Sequence, residues 1–234
     1  MVPKDHKATK LVDQTRLIKH FYLQFDDSPP MNFNQATFET SAAKLDACPT
    51  DSLAEVAFAG RSNAGKSSAI NAITNQLRLA RISKTPGRTQ LINFFVLDAG
   101  RYLVDLPGYG YAKVPLAVKN KWQVELEKYL RNRETLRGLI LLSDIRHPLK
   151  EFDRMMIDWS LQSGLPIHVL LTKADKLKRG PSTSTLLEVE REFKDQPGFS
   201  VQLFSSVNET GLSGARQKLS EWLETEEYEQ ESPA

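Results

Sequence analysis

From Glu55 onward, apolar runs and amphipathic stretches alternate along the chain. EVAFAG is a short apolar run closed by glycine, which is the pattern of a strand buried on both faces of a parallel sheet. Residues 67–77 carry a helical period. LINFFVL and RYLVDL, separated by Asp98, Ala99 and Gly100, form a hairpin pattern. A long amphipathic helix is predicted over 116–133, then a strand (GLILLSDI), a helix over 149–162 and a second strand (PIHVLLTK). A helix over 182–194, a strand (FSVQLFS) and a helix over 212–224 complete the series. Strands alternating with helices through short connections specify a mostly parallel sheet covered on both faces, made mixed by the one hairpin. Residues 31–54 read as a lead-in of short strand or helix. Residues 1–30, ending in the breaker DDSPP, read as a flexible arm, with Met31 as an alternative start.

Composition agrees with a globular chain. Of 234 residues, 40% are hydrophobic and 26% charged. Cys48 is the single cysteine, which excludes an internal disulfide framework and a cysteine-based zinc site. No apolar run approaches the ~20 residues that span a bilayer, and no signal-peptide core is present, so a cytoplasmic location is expected. The net charge of +2 is unevenly spread: residues 1–30 carry +1, residues 224–234 carry −5 as an acidic, disordered tail, and the middle carries +6. That excess suits an anionic partner.

The chemistry concentrates in three strings. The first buried strand runs directly into Gly60, Arg61, Ser62, Asn63, Ala64, Gly65, Lys66 and Ser67, the pattern G-x-x-x-x-G-K-S in a strand–loop–helix setting. Its glycines let consecutive N–H groups turn toward phosphate oxygens, and the helix N-terminus adds its dipole. Lys66 supplies a charge between the β- and γ-phosphates, and the Ser67 hydroxyl suits Mg²⁺. Next, RYLVDL ends in Asp105, Leu106, Pro107 and Gly108. The Asp105 carboxylate can hold a Mg²⁺-bound water, and Gly108 lets a backbone N–H approach the γ-phosphate. Between these strings lies the polar stretch SKTPGRTQ, where spacing leaves Thr85 and Thr89 both open as a second hydroxyl ligand. Third, PIHVLLTK leads into Thr172, Lys173, Ala174 and Asp175. One carboxylate can accept both the N1–H and the 2-amino group of guanine, so Asp175 is the candidate base reader. The Lys173 stem can lie along the ring, and Phe204, Ser205 and Ser206 can add backbone contacts.

GRSNAGKSS, SKTPGRTQLINFF, LVDLPGYGYA, DIRHPLK, LLTKADKL and FSS, in this order and spacing, resemble the EngB (YihA/YsxC) family of bacterial ribosome-biogenesis GTPases, in the TrmE–Era–EngA–YihA–Septin-like superfamily. The resemblance spans about 36–223. It implies a three-layer α/β P-loop NTPase fold of the Ras-like type, with a six-stranded mixed sheet, over a GTPase domain at 55–224. It also implies GTP/GDP and Mg²⁺ as ligands and Thr89 as the Mg²⁺ ligand beside Ser67. Nucleotide contacts are implied along Gly60 to Ser67; at Gly87, Arg88, Thr89, Gln90 and Leu91; and at Asp105 to Gly108, Thr172 to Asp175 and Phe204 to Ser206. Lys66, Asn63, Thr89 and Gly108 are the catalytic candidates, with Asn63 matching an asparagine that coordinates K⁺ in potassium-activated relatives. The implied role is assembly of the large ribosomal subunit, supporting normal growth and division. The implied partners are its precursor, ribosomal RNA and ribosomal proteins, with neither membrane nor DNA.

Other residues read as structural. His147 reads as a helix cap, Trp122, Trp159 and Trp222 as core or interface anchors, and Cys48 as an inert thiol. Tyr109 follows Gly108 where many signalling GTPases carry the glutamine that orients water, so slow intrinsic turnover is expected, and a scaffold with negligible hydrolysis is the alternative. Two basic segments, 78–90 and 113–137, each with a net charge of +4, flank the nucleotide-sensing loops and form the candidate RNA surface.

Overall fold

Every residue from Ala54 to Gly60 is buried, as the apolar run from Val56 requires of a strand with neighbours on both sides and helices on both faces. The computed structural model describes residues 31–81, 91–98, 100–109 and 116–224, and of 116–123 the backbone alone. The arm over 1–30 and the tail over 225–234 lie outside the described residues. The elements follow in the order β1 (Thr37–Ala42), β2 (Ala54–Gly60), α1 (Lys66–Ile73), β3 (Ile92–Asp98), β4 (Arg101–Asp105), α2 (Leu116–Asn132), β5 (Leu136–Asp144), α3 (Glu151–Gln162), β6 (Ile167–Thr172), α4 (Arg179–Glu192), β7 (Phe199–Leu203) and α5 (Leu212–Leu223).

The sheet order is β1-β3-β4-β2-β5-β6-β7. The strands β4, β2, β5, β6 and β7 run parallel, while β3 is antiparallel to both β4 and β1. The β3–β4 hairpin is the one the pattern predicts. The sheet has seven strands rather than six. The extra one is β1, inside the lead-in at 31–54, so that segment contributes an edge strand to the sheet. Its TFETSA sequence is exposed along its first half and bulged between Phe38 and Thr40, so it lacks the apolar run that marks the central strands.

Helix ends shift for local reasons. The α1 helix stops at Ile73, short of 77, because Asn75 turns to φ +52°. The α3 helix starts at Glu151 rather than 149. Leu149 sits at φ +46°, and the Lys150 N–H donates to the Asp153 carboxylate at 3.1 Å in a capping arrangement. His147 therefore lies in a turn, its N–H donating to the Asp144 carbonyl at 2.9 Å, and caps no helix. The α4 helix begins at Arg179, before 182, because Pro181 in the first turn interrupts no helical hydrogen bond.

The core lies on the central strands. Leu139, Ile140, Leu141 and Leu142 of β5 are fully buried, each contributing about 1.5–3 kcal/mol of apolar burial. Trp222 of α5 lies against Gly138, where a Cβ would come within 2.3 Å of the indole, so that helix seats on β5 only over a glycine. One charge is buried here. Glu55, fully buried on β2, accepts hydrogen bonds from Tyr129 Oη at 2.6 Å and Arg133 Nε at 2.8 Å, and so ties the end of α2 to the strand that leads into the phosphate loop.

Candidate functional site

The loop between β2 and α1 leaves the sheet at Gly60, where a Cβ would sit 2.8 Å from the Leu142 carbonyl oxygen of β5. Asn63 at φ +63° and Gly65 at φ +104° complete its curl. Neighbouring strands hold the loop from behind. Thr172 Oγ1 donates to the Ala64 carbonyl at 2.7 Å, Lys173 Nζ donates to the Asn63 carbonyl at 2.8 Å, and the Ser62 N–H donates to the Tyr109 carbonyl at 2.9 Å. These bonds fix the curl of the cradle, so that its N–H groups are held in position for an anion.

The loop opens into a cavity of about 690 Å³ whose walls include Lys66, Ser67, Asp105 and Gly108. Among the described residues its walls carry five cations, Arg61, Lys66, Arg78, Arg81 and Lys173, against the single carboxylate Asp105. That balance suits phosphate groups, with Lys66 of the loop itself placed for those of a nucleotide. Lys66 Nζ lies 3.3 Å from Asp105 Oδ1, and both side chains are nearly buried. Burial raises the Asp105 pKa and the Lys66 ammonium opposes that rise. Beyond this ion pair, the buried Asp105 Oδ1 accepts no hydrogen bond from the described residues. It therefore has a lone pair open to a metal-bound water, and Ser67 lines the same cavity. Mg²⁺ fits these donors: Ser67 would ligate it directly and Asp105 through water, as in P-loop nucleotide sites. Among the described residues no cluster of three or more His, Cys, Asp or Glu could hold a metal by itself, so the metal would arrive with the nucleotide's own oxygens.

The base-reading strings are joined to the loop and to each other. Lys173 sits at φ +59°, which swings its ammonium back toward the phosphate loop, where it also pairs with Asp144 Oδ2 at 2.9 Å. The Ala174 N–H donates to the Phe204 carbonyl at 3.1 Å, and the Phe204 N–H to the Leu171 carbonyl at 2.9 Å. Ser205 Oγ donates to Asp175 Oδ1 at 2.7 Å, and this bond is the main cause holding the Asp175 carboxyl below its usual range. Asp175 is therefore ionised and aimed at neutral pH. Thr172 and Phe204 are buried and act from beneath; Ser206 is exposed.

Leu91 lines the cavity, whereas Gly87, Arg88, Thr89 and Gln90 lie outside the described residues, as does Thr85. Leu106 and Pro107 are buried and set the path of the strand end that presents Gly108. Below this strand end lies a polar network that no local pattern announces. Tyr109 Oη and Ser143 Oγ both donate to Asp153 of α3, at 2.7 and 3.0 Å, and the Leu149 N–H donates to Ser143 Oγ at 2.9 Å. Asp153 falls on a helix that reads as amphipathic, and nothing local marks its carboxylate as inward. Asp144 is a second residue that sequence reasoning does not single out. It takes a bidentate pair from Arg146 as well as Lys173, which holds its carboxyl well below the usual range. Cys48 is buried, and burial pushes its thiol up to about 11, the expected inert state.

A strand–loop–helix phosphate cradle, a buried carboxylate at the neighbouring strand end and an ionised aspartate at the base end define a GTP-binding P-loop domain of the Ras-like α/β class. The profile of the family described as 50S ribosome-binding GTPase matches residues 55–173, about half of the chain. The chain belongs to that family. Similar solved structures carry the same fold. One, described as a probable GTP-binding protein engB, is 21% identical with a TM-score of 0.59, covering 73% of this chain and 99% of its own. Another, a variant of S. thermophilus NFeoB bound to GDP and aluminium fluoride, is 21% identical with a TM-score of 0.53, covering 73% of this chain and 65% of its own. No described helix is long and apolar enough to cross a membrane.

Proposed function

We propose that this protein is an EngB-type GTPase switch that docks in its GTP form on a precursor of the large ribosomal subunit and serves its assembly in the bacterial cytoplasm, and with it growth and division. The observation that carries the guanine part is the Lys173 bridge. One residue of the base-reading string donates to the phosphate loop at Asn63, so phosphate cradle and Asp175 form one rigid frame. The ribosomal part is supported by the family to which the chain belongs and by the motif strings quoted above. The expected contacts are ribosomal RNA and ribosomal proteins, not membrane or DNA.

Mg²⁺ at Ser67 and Thr89 would neutralise charge on the β- and γ-phosphates. Lys66 adds a fixed charge, Gly108 keeps the strand end open to the γ-phosphate, and Asn63 would help hold K⁺, whose charge can stand in for an arginine finger. Single-turnover GTP hydrolysis, with and without large-subunit particles, tests this reading: slow hydrolysis that the particles accelerate supports it. A second reading is a GTP-binding scaffold with negligible hydrolysis, which Tyr109 favours because its side chain is buried and its hydroxyl is committed to Asp153. GTP-dependent particle binding with no hydrolysis under any condition would select the scaffold, and absence of both would overturn the ribosomal role.

A further inference from the structure

From Val56 to Leu97 the chain contains no Asp or Glu and six cations, Arg61, Lys66, Arg78, Arg81, Lys84 and Arg88. The described part of this stretch beyond α1 is built as a rigid platform. The buried Asn71 side chain clamps it from inside, its Nδ2 donating to the Ala80 carbonyl at 3.0 Å and its Oδ1 accepting from the Ala80 N–H at 2.7 Å. Gln76 Nε2 ties it to the segment before β1, donating to the Ala36 carbonyl at 2.7 Å and the Asn34 carbonyl at 3.1 Å.

This fixed backbone presents groups the fold does not use. Leu77 is 94% exposed, and Phe38 on β1 is 54% exposed while contacting Phe95 edge-to-face at 6.1 Å. Arg78 and Arg81 are exposed, and no carboxylate among the described residues pairs with either. Phe38, Arg78 and Arg81 all line the mouth of the nucleotide cavity. The other basic segment, over 113–137, is different. There Arg133 is committed to buried Glu55, Lys128 pairs with Glu125, and Arg131 pairs with Glu127. Among the described residues, then, Lys128, Arg131 and Arg133 are committed to carboxylates, whereas Arg78 and Arg81 are not.

We infer that Phe38, Leu77, Arg78 and Arg81 form a docking surface for a single-stranded segment of RNA at the mouth of the nucleotide site. The two guanidinium groups take backbone phosphates and the exposed Phe38 ring offers a stacking face for a base, the combination that single-stranded sites use. The surface rests on the reading of the protein as a ribosomal-precursor binder. By linkage, whatever factor separates RNA affinity in the GTP and GDP forms is the factor by which bound RNA shifts the relative affinity for the two nucleotides.

The test measures binding of a short fluorescent single-stranded RNA, and of purified large-subunit particles, across a salt series. The full chain is compared with its Arg78→Ala/Arg81→Ala, Arg78→Lys/Arg81→Lys and Phe38→Ala variants. Expected is a loss of about tenfold in RNA affinity for the alanine pair, with the log–log salt slope flatter by about 1.4 for two lost contacts. The lysine pair should keep most of that slope, which separates lost charge from a damaged fold. Phe38→Ala should lower affinity without changing the slope. RNA binding unchanged in all variants overturns the surface. If particle binding falls while RNA binding holds, the surface takes a protein and the RNA assignment is wrong. If the parent fails to bind particles in either nucleotide state, the ribosomal reading fails, and the RNA arm still decides the surface.

Discussion

Tyr109 Oη donates a 2.7 Å hydrogen bond to Asp153 Oδ1, and the tyrosine is only 5% exposed. The residue directly after Gly108, the proposed γ-phosphate contact, is thus anchored onto α3. Burial, with the Asp153 charge behind it, pushes the Tyr109 phenol far above its ordinary range, so it stays a protonated donor. Tyr109→Phe should leave a buried carboxylate oxygen without its partner and cost about 1–3 kcal/mol. At a few degrees per kcal/mol for a chain of this size, the melting temperature should fall measurably. Tyr109→Gln should not accelerate single-turnover GTP hydrolysis, because the position faces the α3 network; a rate gain of about tenfold would refute that placement.

On the proposed reading, base specificity rests on Asp175 and its hydrogen bond from Ser205. Asp175→Asn places a donor opposite guanine N1–H and should cost about 1.5–3 kcal/mol of GTP affinity, roughly 10- to 150-fold. Xanthosine triphosphate should then bind better than GTP. Ser205→Ala removes the 2.7 Å bond that aims the carboxylate and should weaken GTP by only a few-fold. Titration with fluorescent GTP and XTP analogues checks both, and an Asp175→Asn protein that binds GTP like the parent would sink the assignment.

Potassium should accelerate hydrolysis if Asn63 helps to hold it. The Asn63 backbone carbonyl is occupied by Lys173, while the residue itself is exposed at the cavity mouth. The expected result is faster turnover in KCl than in NaCl at matched ionic strength, with Asn63→Ala abolishing the difference. Equal rates in the two salts for the parent would remove the ion from the mechanism.

Acid should destabilise the fold through His168. This β6 residue is 4% exposed, hydrogen-bonded through Nδ1 to Ser200 Oγ at 2.8 Å, and burial lowers its pKa to about 4. The unfolded chain takes up the proton near 6.5 and the folded one does not. His168 therefore contributes its full stability above pH 6.5 and loses it progressively as pH falls to about 4. The loss from this group is on the order of 3 kcal/mol. Denaturant unfolding at pH 7.5 and pH 5 should show a smaller drop for His168→Gln than for the parent.

The parallel strands and the three chemical strings could be read directly from the sequence because each is local. A buried strand declares itself by an apolar run, and Gly60 to Ser67 by glycines and a lysine at fixed spacing. Asp105 and Asp175 could be placed because both stand at strand ends, where a parallel sheet gathers its loops on one edge. What tertiary structure alone decided are relations between residues far apart in the chain. The β1 strand exists because β3 offers it an edge, and its own exposed sequence carries no strand period. Lys173 reaches Asn63 across 110 positions, and Tyr109 finds Asp153 across 44, so neither bond leaves a periodic trace. The same holds for charge. Counting puts equal excesses on 78–90 and 113–137, but the fold commits Arg133 to Glu55 and leaves Arg78 and Arg81 without a carboxylate partner among the described residues. Local pattern determined which chemistry the chain carries; burial and long-range pairing determined which of the described charges are already committed within the fold.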